Sequence, residues 1–130
     1  MTLVAWEPTF SVDNDLMDAQ HQKLFDLLNQ LYDTQQQGKT QEGISRGLVG
    51  LSRYSMEHFQ AEELLMEKNN YRELQVQRRE HAVFIEKVVE LQHQYLNGNL
   101  REVEPMLVFL KNWLVSHILV TDQKYKNYLH

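Results

Sequence analysis

Ile44, Leu48, Leu51, Ser55, His58 and Glu62 follow one another at steps of 4, 3, 4, 3 and 4 residues. That spacing lays all six on one face of an α-helix, the face a helix buries. Two of the six, His58 and Glu62, are metal-competent side chains one turn apart. A buried carboxylate is costly unless it is paired or holds a metal. A fold for this chain must therefore carry Glu62 inward on a long helix and meet it there with positive charge.

The neighbouring stretches obey the same period. Residues 1–17 read as a non-repetitive arm that Trp6, Phe10 and Val12 pack onto the body. Asp13, Asn14, Asp15 and Asp18 are turn and cap residues that announce a first helix over about 18–37, with the stripe Met17, His21, Leu24, Leu28 and Leu31 and a stop at Gly38. Thr40 is placed to cap the second helix, about 40–68, which ends at the Asn69-Asn70 turn. The third, about 72–96, has the stripe Leu74, Gln77, His81, Phe84, Val88, Leu91 and Tyr95, before a turn at Asn97-Gly98-Asn99. The fourth, about 100–120, starts near Leu100, takes Pro105 in its first turns and carries Val103, Leu107, Leu110, Leu114 and His117. Tyr125, Tyr128 and Leu129 are expected to form a last helical piece that packs back.

Four amphipathic helices with short connections, in a chain of 130 residues, predict one all-α domain over 1–130. Its architecture is an antiparallel up-down-up-down four-helix bundle with an N-terminal arm and a short C-terminal helical tail. Such a bundle brings the start of the first and third helices to the same end as the close of the second and fourth. His21, His58, Glu62, Gln77, His81 and His117 then share one layer of the core. One histidine on an apolar face is more often a hydrogen-bonded core residue than a ligand. Four that converge from four helices beside a glutamate are hard to explain as packing, since buried unpaired imidazoles cost stability at each position, and they point to a metal site. His93 lies off its stripe and His130 is the last residue, so both are expected in solvent.

Imidazole and carboxylate without thiolate suit zinc, iron, copper or manganese. The chain has no cysteine, which excludes disulfides and zinc–cysteine sites. Four imidazoles and a carboxylate are too many for one tetrahedral ion, so the ligand count suggests two ions. The ferritin-like pattern needs Glu-x-x-His on two helices, and the only match, Glu90 to His93, is on the wrong face. There is no His-Glu-x-x-His motif, nucleophile elbow, phosphate loop or Rossmann glycine pattern. A net charge of −5 argues against nucleic acid. No apolar run approaches a membrane span, and residues 1–10 are not a signal peptide. The expected setting is the cytoplasm, and the expected state is a monomer, because the bundle consumes the apolar stripes.

The set His21, His58-x-x-x-Glu62, His81 and His117-x-x-x-x-Asp122 resembles the hemerythrin family, in particular single-domain bacterial members. The flanks Asp18-Ala-Gln-His21-Gln-Lys-Leu-Phe25 and Trp113-Leu-Val-Ser-His117-Ile-Leu-Val-Thr-Asp122 carry it further, as does the arm with Trp6. The resemblance implies two non-haem iron ions bridged by Glu62, Asp122 and an oxo or hydroxo group. His21 and His58 would hold the ion with an open position, and His81 and His117 the other. It implies reversible dioxygen binding for storage, transport or delivery rather than turnover, with an oxygen-consuming enzyme or a signalling protein as partner. Leu24, Phe59, Leu114 and Ile118 would line the oxygen pocket and keep water out. Asp122 lies five residues past His117, off the helical face, so the chain has to bend there. Gln77 departs from the family, which has a histidine at this position. Its amide has three options: to coordinate, to hydrogen-bond a coordinating water, or to point away. A weaker donor here would favour peroxide or nitric-oxide scavenging or sensing as the alternative activity.

Overall fold

The computed structural model describes residues 2–38, 41–98, 103–126 and 128. Four α-helices make an all-helical bundle: α1 (Asp15–Gln36), α2 (Gln41–Lys68), α3 (Leu74–Leu96) and α4 (Glu104–Ser116). Among the described residues there is no strand. Each helix packs on its neighbour in sequence, and α1 closes the bundle against α4. Every residue of the first two stripes is buried, Ser55 included. No helix is long and apolar enough to cross a membrane among the described residues.

The boundaries differ from expectation for local reasons. α1 starts at Asp15 rather than Asp18, because Asn14 is the cap and its side chain accepts the Met17 N–H at 3.0 Å. Asp18 instead ties down the arm, accepting the Ser11 hydroxyl at 2.6 Å and the Val12 N–H at 2.9 Å. α3 begins two residues later than residue 72. α2 ends through Asn70, which takes a φ of 54° while the Tyr71 N–H returns to the Met66 carbonyl at 3.0 Å. Pro105 sits in the first turn of α4. The expected roles of Thr40, Asn99, Leu100, Leu129 and His130 lie outside the described residues.

The arm is pinned at two places. Asn29 accepts the Leu3 and Val4 N–H groups and donates to the Val4 carbonyl at 2.8 Å. Phe10 meets Phe25 edge-on, ring centres 5.1 Å apart, with Trp6 beside both. The core divides in two. A large cluster including Leu24, Phe59, Phe84, Leu114 and Ile118 fills the bundle, and a small one of Val12, Met17, Met66, Tyr71 and Tyr125 covers one end.

Gly47 sets the closeness of α1 and α2: a Cβ there would lie 2.4 Å from Leu31 Cδ2 and 2.8 Å from its Cγ. Leu31 is buried, so the clash has to be absorbed inside the core. Gly47→Ala is expected to destabilise the protein by about 1–2 kcal/mol, overpacking outweighing the helix propensity gained. A denaturant midpoint equal to or above the parent's would refute this.

Candidate metal centre

Helix packing brings the stripe residues into one buried layer between the two apolar clusters. His21 and His58 meet edge-on with ring centres 4.7 Å apart, and His81 and His117 do so at 5.0 Å. Glu62 stands between the pairs. Its Oε2 lies 3.1 Å from His21 Nε2 and 3.5 Å from His58 Nε2, and its Oε1 lies 3.1 Å from His81 Nε2. Asp122 spans the same gap, with Oδ1 3.1 Å from His117 Nε2 and Oδ2 3.4 Å from His21 Nε2. Two ligand groups result: His21, His58 and Glu62, and Glu62, His81, His117 and Asp122.

Asp122 arrives by a device that spacing left unspecified. After Ser116 the chain makes a π turn over His117–Thr121, and the Asp122 N–H bonds back to the His117 carbonyl. That five-residue bond inserts one residue relative to an α-helix, so side chains five apart return to one face. A four-residue 3₁₀ helix, Asp122–Tyr125, follows. The expected C-terminal piece therefore packs back through Tyr125, which is fully buried, while Tyr128 is exposed. His93 is exposed as well.

The outer nitrogens of three histidines are held in place. Gln20 Oε1 lies 2.7 Å from His58 Nδ1, Glu63 Oε2 2.7 Å from His81 Nδ1, and Glu80 Oε1 2.9 Å from His117 Nδ1. Thr121 donates to Glu80 and steadies it. An acceptor at Nδ1 fixes the proton there and turns the Nε2 lone pair toward the centre, as metal-bound histidines require. With both outer protons fixed, His81 and His117 face each other Nε2 to Nε2 at 3.2 Å, lone pair against lone pair. Only a cation or an added proton relieves that. Phe59 stacks flat on His81 at 3.9 Å, and Trp113 on His117 at 4.7 Å, so neither ring can swing away.

Sequence reasoning missed Gln20, Glu63, Glu80 and Tyr125. Tyr125 donates to Glu62 Oε2 at 2.6 Å from the small cluster's side. Burial, with the Glu62 and Asp122 carboxylates near it, keeps that hydroxyl well above the usual tyrosine range. Gln77 is buried and donates from Nε2 to Asp122 Oδ1 at 3.0 Å, so it does not point away. Among the described residues, four buried side-chain atoms in the layer make no hydrogen bond: His21 Nδ1, Glu62 Oε1, Gln77 Oε1 and Asp122 Oδ2, the two carboxylate oxygens having only the imidazole contacts given above. Three are oxygens with lone pairs to give. The donor set thus fits two borderline cations bridged by two carboxylates.

The metal-free protein has to carry this charge itself. Burial would lower the His117 pKa, but Asp122 and Glu62 outweigh it and the group is pushed up to about 9. His21 and His81 are raised against burial in the same way, chiefly by their hydrogen bonds to Glu62. Burial would raise Glu62, and His58 with the three imidazole contacts holds it well below the carboxylate range. A histidine raised above its unfolded value near 6.5 stabilises fully below that pH and loses its contribution as pH climbs through about 9. The depressed Glu62 acts at the other end, stabilising above pH 4.5 and failing as pH falls below it. Chelator-stripped protein is therefore expected to be most stable near pH 5–6.5 and to lose on the order of 3 kcal/mol by pH 9. Denaturant midpoints that stay level or rise across that window would contradict it.

A helical bundle whose core layer offers four imidazoles and two carboxylates, each reaching both histidine pairs, has the donor set of a cation-binding protein. Residues 12–129 match the model of the hemerythrin HHE cation-binding domain, and the chain belongs to the hemerythrin family. It is 31% identical over 126 residues to the bacteriohemerythrin of Methylococcus capsulatus, covering 96% of this chain and 95% of that protein. A hemerythrin-like protein of Naegleria gruberi is 31% identical over 124 residues, covering 95% and 92%. The fold superimposes on a wild-type hemerythrin crystal structure with a TM-score of 0.91 at 30% identity, covering 98% of both chains.

Proposed function

We propose that the protein binds dioxygen reversibly at a pair of non-haem iron ions, for storage, transport or delivery, without turning over a substrate. The observation that carries this reading is the layer itself: inward-turned Nε2 atoms from four helices around two spanning carboxylates. His21 and His58 would hold one ion and His81 and His117 the other, with Glu62 and Asp122 shared. The ions, once bound, supply the reversible two-electron redox chemistry that dioxygen binding needs.

The chain's own residues do the rest. Gln20, Glu63 and Glu80 orient three imidazoles. Phe59 and Trp113 lock two of those rings. Leu24, Phe59, Leu114 and Ile118, all buried, keep water from the layer on the bundle side. Tyr125 covers the other side and gives Glu62 a fixed proton donor. Water exclusion on both faces favours return of the bound gas over its protonated release. The setting proposed is the cytoplasm, as a monomer, with an oxygen-consuming enzyme or a signalling protein as recipient.

Anaerobic iron reconstitution followed by cycles of oxygen addition and removal tests the reading. The expected result is two irons per chain and a visible charge-transfer band that comes and goes. A band that appears once and decays to a ferric spectrum, with sustained peroxide consumption, would replace binding with scavenging.

A further inference from the structure

The two halves of the layer contain equal numbers of imidazoles, His21 and His58 in one and His81 and His117 in the other. Gln77 stands in the second half, yet its Nε2 is given to Asp122 Oδ1, the same oxygen that lies 3.1 Å from His117 Nε2. An amide NH₂ has no lone pair to give a metal. Its second N–H is not used by the Asp122 bond, and the amide's Oε1 is buried without a partner. The second half therefore contains two imidazoles, shared carboxylates and a neutral hydrogen-bonding group. Two histidines and two shared carboxylates would give an ion four protein donors, fewer than an octahedral ion takes, which keeps positions open for outside ligands.

We propose that the His81–His117 half takes a small anion of its own, and that Gln77 is the hydrogen-bonding side chain beside it. Each half then binds one outside ligand, and the pair of ions holds two. The charge balance agrees: among the described residues two fully buried carboxylates, Glu62 and Asp122, lie between the histidine pairs, while Glu63 and Glu80 reach only the outer nitrogens. This inference rests on the dinuclear reading above. It concerns a position that reading does not use.

Azide is the probe, with iron content measured on each sample. Wild-type ferric protein with two irons per chain is expected to bind two azides, resolved as two antisymmetric stretches in the infrared. Gln77→His supplies a lone pair at the same place and should bind one. Gln77→Leu, which removes the amide but offers no ligand, should still bind two, the second about tenfold weaker for want of its hydrogen bond. One azide on the wild type but two on Gln77→Leu would mean that the amide oxygen fills the position, and overturns the proposal. So would two on Gln77→His, or a wild type that retains a single iron. A single azide alongside a reversible oxygen band would sink this inference and leave oxygen binding intact. Loss of the band with two azides bound would do the reverse.

Discussion

Glu62→Ala is expected to abolish dinuclear loading, cutting iron from two ions per chain to one or none, and to destabilise the metal-free fold. Glu62 is the side chain that both halves share. Its two oxygens face His21 and His58 on one side and His81 on the other, all within 3.5 Å. On the proposed di-iron reading, removing it takes a ligand from each ion at once, and with it one of the two carboxylates between the histidine pairs. The stability cost has a separate origin. His21 and His81, whose pKa values are raised against burial chiefly by their hydrogen bonds to Glu62, and the Tyr125 hydroxyl at 2.6 Å lose their acceptor inside a dry layer. Breaking a buried pair by deleting one partner costs about 3–5 kcal/mol. Glu62→Gln separates the two effects, because the amide oxygen still accepts from Tyr125. It should recover part of the stability and little of the second iron. Metal analysis and denaturant melts on both variants measure this. Two irons per chain in Glu62→Ala would remove Glu62 from the bridging role.

The bundle and the converging layer were legible because leucine spacing fixes each stripe, and antiparallel order then decides which ends meet. His21, His58, Glu62, Gln77, His81 and His117 were placed by that argument without reference to any relative. The outer partners were not. Gln20, Glu63 and Glu80 sit directly beside ligands in sequence, on helix flanks where polar residues are ordinarily solvated. Adjacency to a stripe ligand was the available signal: each lies one residue from His21, Glu62 or His81. The start of α1 moved because several polar residues competed for its cap, and Asn14 rather than Asp18 satisfied its first turn. Tyr125 was expected to pack back, but its bond to Glu62 depends on where the 3₁₀ turn lands, which no local residue preference specifies. The same holds for Asp122. Asp122 entered only through the family resemblance, which with the five-residue spacing implied a distortion after His117, and the sequence His-Ile-Leu-Val-Thr offers no glycine or proline to mark its kind.

That distortion is a matter of register, and register is directly testable. Inserting one alanine after Val120 is expected to displace Asp122 from the layer, with loss of the second iron and of Tyr125 packing. In an α-helix each residue adds about 100° of rotation. A spacing of five would swing Asp122 well off the face of His117, and the π turn over His117–Thr121 cancels that by absorbing one residue. A sixth residue exceeds what one such turn absorbs. Asp122 would leave His117 and His21, and the downstream turn would carry the Tyr125 hydroxyl away from Glu62. Deleting exposed Val120 makes the opposite prediction. It leaves His117 and the aspartate four apart, a spacing that an unbroken α-helix already places on one face. The deletion should keep two irons per chain, and the insertion should not. Equal iron content in the two variants would mean that the turn follows the metal site rather than forming it.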